Sequence, residues 1–185
     1  MKDVFEENKK AATPIDLFNK DITAYQSLVG SLNYIATKTR PDISFSVNQL
    51  SRQLVKPNQA HWKAAIKVLC YLKNTSTLGI KLQARDRENI EKLGIFNLEI
   101  YTDAAHATQS DLKSTLGYLS YFNGNVISWN CMKAKVISAS SMESEIYSIM
   151  EAAMEINFMK RLGFKLLHIT AECTIETDPK RAENV

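Results

Sequence analysis

Four acidic residues in the second half of this 185-residue chain stand where chemistry is possible. Asp103 ends the apolar run LEIYTD, and small residues follow it: Ala104, Ala105 and Ala107. Glu143 and Glu145 lie in SSMESE, at the start of a long helical pattern. Asp178 ends a second short run, CTIETD. Carboxylates that converge without a cationic partner repel one another and are driven toward their neutral forms. A hard divalent cation with oxygen ligands, typically Mg²⁺, relieves that repulsion. Such a site can activate water and stabilise a phosphoryl leaving group. Spacing alone also allows plainer roles. An Asp after a strand closes a turn or caps a helix, and a Glu in the first turns of a helix complements the helix dipole. The case for chemistry therefore depends on the elements that carry these acids.

Those elements alternate in a definite order. LEIYTD reads as a largely buried strand. STLGYLSYF alternates at period two, with Leu116, Tyr118 and Ser120 on one face. NGN at Asn123 to Asn125 is a hairpin signal, with Gly124 supplying positive φ, and NVISWN returns as the partner strand. A long helix follows in SASSMESEIYSIMEAAMEINFMKRLG. Ser140 or Ser141 caps it, Ile146, Ile149, Ala153 and Ile156 mark its packed face or the border of that face, and Gly163 terminates it. CTIETD is the last strand. In the order β-β-β-α-β, the helix crosses over and the last strand lies beside the first, parallel to it. Asp103 and Asp178 then share one edge of the sheet, and an acid from the early turns of the helix can join them. Glu143 and Glu145 are two residues apart on the helix and point in different directions, about 200° apart, so only one of them faces inward.

The first half has the helical period instead. AYQSLVGSLNYIATK places Tyr25, Leu28, Leu32 and Ile35 on one face. Pro41 stops that helix and starts the next, TRPDISFSVNQLSRQL, whose stripe is Ile43, Val47, Leu50 and Leu54. A third helix runs through NQAHWKAAIKVLCYLKNT, with Trp62, Ile66, Leu69 and Leu72 or Tyr71 facing in and Lys63, Lys67 and Lys73 facing out. GIKLQ reads as a short strand, and ARDRENIEKLG is a charged connection. This divides the chain into a loose polar N-terminus over 1–21, a helical unit over 22–83, a linker over 84–96 and a β-rich unit over 97–185.

Bulk properties exclude several classes. The three cysteines, Cys70, Cys131 and Cys173, are far apart and form no CxxC, so neither a disulfide framework nor a zinc site is expected. The net charge of +3 permits a nucleic-acid partner without demanding one. There is no secretory signal and no apolar span, so a soluble intracellular protein without membrane contact is expected. No glycine-rich phosphate loop occurs, and the serines near 114 and 140 have no His/Asp frame for nucleophilic catalysis. His106 stands near Asp103, where it could ligate metal or touch a phosphate, though an exposed loop histidine needs neither role. His61 and His168 are isolated.

The stretches YQSLVGSLNYIATKTRPDISFSVNQLSR, HWKAAIKVLCYLKNTSTLGIKL, YTDAAHA, DLKSTLGYLSYFNGNVISWN, SSMESEIYSIMEAAMEINFMKRL and IETDPKRA, in this order, resemble the C-terminal part of the Pol polyprotein of copia-type LTR retrotransposons. The resemblance covers nearly all of 22–185. It implies an α+β protein in which the helical unit is the thumb or connection end of a reverse transcriptase. An incomplete RNase H-like α/β domain with a mixed sheet then follows. It implies cleavage of the RNA strand of RNA:DNA hybrids with Mg²⁺, or Mn²⁺, held by Asp103, Glu145 and Asp178. The general RNase H pattern favours Glu145 over Glu143.

The departures from the family pattern bear on activity. An acid and an aromatic that usually follow the first Asp are absent from DAAHA. The later helix with a fourth carboxylate, and the polymerase palm, do not occur in this sequence. Weak cation binding and little or no nuclease activity are therefore expected of the isolated chain. The alternatives are a non-catalytic nucleic-acid-binding remnant, gripping RNA or hybrid through the Lys63, Lys67 and Lys73 face, or a non-functional pseudogene product. Partners implied by the family are RNA:DNA hybrid or RNA and other Pol segments. The implied location is cytoplasmic, in virus-like particles, or nuclear.

Overall fold

The computed structural model describes residues 19–83, 94–106, 112–168 and 170–177. The chain divides into two compact units, Met1–Ile80 and Lys81–Val185.

The first unit is helical. Helix α1 spans Asn19–Lys38, a single 3₁₀ turn covers Pro41–Ile43, α2 spans Ser44–Ser51 and α3 spans Gln59–Asn74. Pro41 occupies the first turn of its element, where a missing N–H costs nothing. Asn58 caps α3 reciprocally: its Oδ1 accepts from the His61 N–H at 3.0 Å, and His61 Nδ1 accepts from the Asn58 N–H at 3.1 Å. His61 is thus a capping residue, and burial lowers its pKa. Tyr25 and Leu32 of α1, as the helical spacing predicts, close on Ile43, Val47 and Leu50; Val29 and Ala36 are buried with them, and Leu28 and Ile35 pack half-buried against the cluster. Tyr25 is fully buried, donates to the Leu50 carbonyl at 3.0 Å, and has its pKa raised to about 12 by burial.

The buried face of α3 matches the expected one only in part. Ala64, Ala65 and Val68 are buried, with Trp62, Tyr71 and Leu72 half-buried against them, while Ile66 and Leu69 are exposed. Side-chain size marked only part of the face. Two adjacent alanines let backbones approach closely, and the helix turns that flat surface inward.

The second unit is a four-stranded mixed sheet covered by one helix. Strand β1 spans Ile95–Ala105, β2 Thr115–Phe122, β3 Asn125–Lys133 and β4 Thr170–Glu176, with α4 spanning Ser141–Leu167. The strand order is β3-β2-β1-β4. β1 pairs antiparallel with β2, and β4 runs parallel beside β1 from Ile95↔Thr170 to Tyr101↔Glu176. The protein is therefore α+β with the order β-β-β-α-β, consistent with part of an RNase H-like fold. Asn123 and Gly124 both take positive φ, 45° and 72°, which is the two-residue turn that matches strand twist. Gly79–Gln83 is not strand. Gln83 instead exchanges two backbone bonds with the Asn125 side chain, at 2.7 and 2.9 Å.

Two details of α4 also differ from expectation. It continues through Gly163, and His168, at φ 54°, supplies the left-handed C-cap. One glycine costs a helix about 1 kcal/mol, too little to stop one that the sheet supports. Its packed row is Ser144, Ser148, Ala152 and Ile156, all buried, while Ile146 is half exposed on the other side with Met150, Met154 and Phe158. Of the expected face, Ile156 is buried and Ile149 and Ala153 are half-buried at its border, while Ile146 turns outward; small residues let α4 lie close on the sheet. Ile156→Ala is expected to cost about 2–3 kcal/mol in chemical denaturation, and Phe158→Ser under about 0.5 kcal/mol. Equal losses would contradict this face. No described helix is long and apolar enough to cross a membrane.

Candidate functional site

The end of β1 and the first two turns of α4 meet at one edge of the sheet. Phe96, Leu98 and Ile100 are buried along β1, and Thr102 continues that row. Asp103 follows, exposed, with Gly117 as its partner across β2, so no side chain of that partner stands opposite the carboxylate. Asp103 Oδ1 accepts from the Ala104 N–H at 2.9 Å.

Glu143 and Glu145 separate by task. Ser140 caps α4, its Oγ accepting from the Glu143 N–H at 3.1 Å. Glu143 then turns back: its Oε2 accepts from the Ala139 N–H at 2.6 Å and its Oε1 from the Tyr147 hydroxyl at 3.1 Å. It is a capping acid. Glu145 stands near enough to Asp103 to feel its charge. Its Oε2 is buried and has no hydrogen-bond partner. Burial first, then the charge of Asp103, push its carboxyl above the ordinary range, opposed by the Ala104 N–H.

The structure thus brings Asp103 and Glu145 together. Asp178 lies outside the described residues. Among those residues no group of three His, Cys, Asp or Glu side chains closes into a metal-holding set. His106 is half-buried and does not join the carboxylates in such a set; its Nδ1 lies 2.9 Å from Ser144 Oγ.

The fit to a cation rests on Glu145. A carboxylate oxygen buried without a donor, beside a second carboxylate, is a costly arrangement unless a positive charge completes it. Its raised pKa has a definite sign. The charged form is disfavoured in the fold, so at neutral pH Glu145 lowers stability, and that loss is relieved as pH falls through its raised pKa. In chelator at pH 7, Glu145→Gln is expected to stabilise the chain by roughly 0.5 kcal/mol after solvent screening, and to remove any stabilisation by added Mn²⁺. Thermal unfolding with and without Mn²⁺ checks both.

Sequence reasoning missed a set of buried hydroxyls beside these acids. Ser148 Oγ donates to the Asp103 carbonyl at 3.0 Å and bonds to the Thr102 hydroxyl. Thr102 Oγ1 also lies 3.1 Å from the Gly117 carbonyl, and Ser144 Oγ lies 2.8 Å from Ser114 Oγ, itself 3.2 Å from Ser138 Oγ. The four-residue spacing of Ser140, Ser144 and Ser148 was the visible signal.

No protein-family model matches the chain, and no solved structure matches it. Several known proteins do. The Retrovirus-related Pol polyprotein from transposon RE2 of Arabidopsis thaliana is 37% identical over 80% of this chain and 10% of its own length. A transposon Ty5-1 protein of Saccharomyces cerevisiae is 39% identical over 74% of this chain and 42% of its own. Secreted RxLR effector protein 161 of Plasmopara viticola is 35% identical over 71% of this chain and 87% of its own. The chain spans about a tenth of the length of the Pol polyprotein it matches. Shared identity at this level over three quarters of the chain carries the family with it: the chain belongs to the copia-type retrotransposon Pol polyproteins and matches a segment of them.

Proposed function

We propose that the second unit is the RNase H-type part of a transposon Pol, acting on the RNA strand of an RNA:DNA hybrid. Asp103 and Glu145, with Asp178, would hold Mg²⁺ or Mn²⁺. The observation that carries this reading is the buried, unpartnered Glu145 Oε2 beside Asp103, where β1 meets α4. A bound divalent cation there would polarise a phosphoryl oxygen and lower the pKa of an attacking water. The chain's own residues supply the rest. Asp103 is exposed and approachable by a bulky duplex. The Ala104 N–H holds one of its oxygens, leaving the other to a cation. Glu145, half-buried, supplies a buried oxygen. Two carboxylates with few other oxygens bind a hard cation weakly, so millimolar Mn²⁺ is the condition to use. The test is cleavage of a labelled RNA:DNA hybrid by the full chain in Mn²⁺. Cleavage that is slow, cation-dependent and lost in Asp103→Asn supports the reading. Cleavage indifferent to chelator or to that substitution sinks it.

A second reading is non-catalytic binding of nucleic acid. It is favoured by the exposed Lys63, Lys67 and Lys73 on one side of α3. The effector of Plasmopara viticola, 87% of which this chain covers, also contains this segment as most of a protein. Phosphate contacts by three lysines give a steep salt dependence, roughly three powers in log–log slope. Hybrid binding of that slope without cleavage would select this reading.

A further inference from the structure

The interface between α4 and the sheet changes character along its length. At one end β1 offers Phe96, Leu98 and Ile100 to Ala152 and Ile156, all apolar. At the carboxylate end the same two rows continue as Thr102 on β1 and Ser148 and Ser144 on α4, and all three are buried. Apolar residues would bury this end at lower cost, since each buried hydroxyl must find partners. The hydroxyls that β1 and α4 themselves bury lie at the end that carries Asp103 and Glu145, and Ser120 of β2, opposite Ile100, is a further buried hydroxyl along the sheet.

Their bonds cross between the two elements that hold the acids. Ser148 Oγ donates to the carbonyl of Asp103 itself, at 3.0 Å, from a helix position one turn beyond Glu145. Thr102, the residue before Asp103, bonds to Ser148 and lies 3.1 Å from the Gly117 carbonyl of β2. Ser144, the residue before Glu145, lies 2.9 Å from His106 Nδ1, at the end of β1. Apolar contact is non-directional and lets a helix shift on a sheet by fractions of an ångström. Hydrogen bonds to a backbone carbonyl and between short side chains do not. A cation held by two carboxylates on different elements requires that kind of fixed separation.

We propose that Ser148 and Thr102 are positioning residues: they lock α4 to the end of β1 and thereby set the spacing of Asp103 and Glu145 for a divalent cation. The inference rests on the cation reading above and adds to it the residues that set its geometry.

The experiment measures Mn²⁺ affinity of the full chain by electron paramagnetic resonance of free Mn²⁺, alongside thermal unfolding. Ser148→Ala and Thr102→Val should weaken Mn²⁺ binding by about 10–100-fold, the usual effect of losing an outer-shell hydrogen bond. Thr102→Ser, which keeps the hydroxyl, should restore affinity to within about twofold of wild type. Ile156→Val, at the apolar end of the same interface, should lose thermal stability while keeping its Mn²⁺ affinity. Wild-type binding with undiminished affinity in Ser148→Ala and Thr102→Val overturns the positioning role alone. So does an Ile156→Val chain that loses as much affinity as they do. A wild-type chain that binds no Mn²⁺ overturns the cation reading and this inference with it.

Discussion

Asp103→Asn is expected to lower Mn²⁺ affinity by about 100-fold or more, and to abolish Mn²⁺-dependent hybrid cleavage. The substitution is nearly isosteric. The amide keeps an oxygen for the Ala104 N–H, so the turn at the end of β1 stays as it is. Only the charge goes. With it goes half of the negative potential that would hold a cation, and the remaining carboxylate, Glu145, reverts toward its ordinary pKa because the charge of Asp103 no longer opposes its ionisation. Asp103 is exposed, so stability should change by less than about 0.5 kcal/mol. A titration of free Mn²⁺ and a gel of cleaved hybrid read the two losses, and an unchanged unfolding curve shows that the fold did not cause them. Undiminished affinity would mean that Asp103 is a strand-end residue and nothing more.

Arg40→Ala should destabilise the helical unit by about 2–3 kcal/mol, near the lower end of the cost of breaking a buried ion pair. The guanidinium is buried and fully employed. Nε and Nη2 reach the two oxygens of Asp42 at 2.9 and 2.8 Å, while Nη1 and Nη2 reach the carbonyl and hydroxyl of Thr75 at 3.0 and 2.6 Å. Tyr71 donates to Asp42 at 2.9 Å and lies beneath the guanidinium, 5.5 Å from its ring centroid. The turn before α2 is thereby tied to the C-terminal end of α3. Without Arg40, Asp42 is left half-covered, with the Tyr71 hydroxyl as its remaining side-chain donor. The pH dependence follows from sign. The hydrogen bond from Arg40 holds the Asp42 carboxyl below its ordinary range. Its contribution is therefore present above about pH 4 and is lost as pH falls through the depressed value. Acid titration of helical circular dichroism should show this loss in wild type and not in Arg40→Ala. Arg40→Ala together with Asp42→Ala should cost less than the two single changes summed, because neither partner is then stranded.

Much of the architecture follows from local rules that need no tertiary information. Asn-Gly at 123–124 permits few conformations other than a tight hairpin, because both residues tolerate positive φ. Pro41 can only begin an element. Once β-β-β-α-β was read, the right-handed crossover placed β4 beside β1, as the structure has it. Faces were less legible. For α3 and α4 the large apolar residues marked the packed face only in part: Trp62, Tyr71, Leu72 and Ile156 pack inward while Ile66, Leu69 and Ile146 do not, since hydrophobicity does not encode how closely two backbones approach. Ala64, Ala65, Ser144, Ser148 and Ala152 are inward because they are small.

For the site, the chain's own residues declared which acids were available and that Glu143 and Glu145 could not both face inward. They could not show which one did. That choice belongs to packing: Ser140 and the Ala139 N–H draw Glu143 into the cap, and seating Ser144 and Ser148 on the sheet leaves Glu145 within reach of the charge of Asp103. The hydroxyl contacts between β1 and α4 depend on packing in the same way. Thr102 and Ser148 are separated by 46 positions, and neither has a partner until the helix lies down. Propensity, turn chemistry and topology act over a few residues or a whole crossover, so they can be read along the chain. The separation of two carboxylates depends on the helix–sheet interface to a fraction of an ångström, and that distance exists only in the folded molecule.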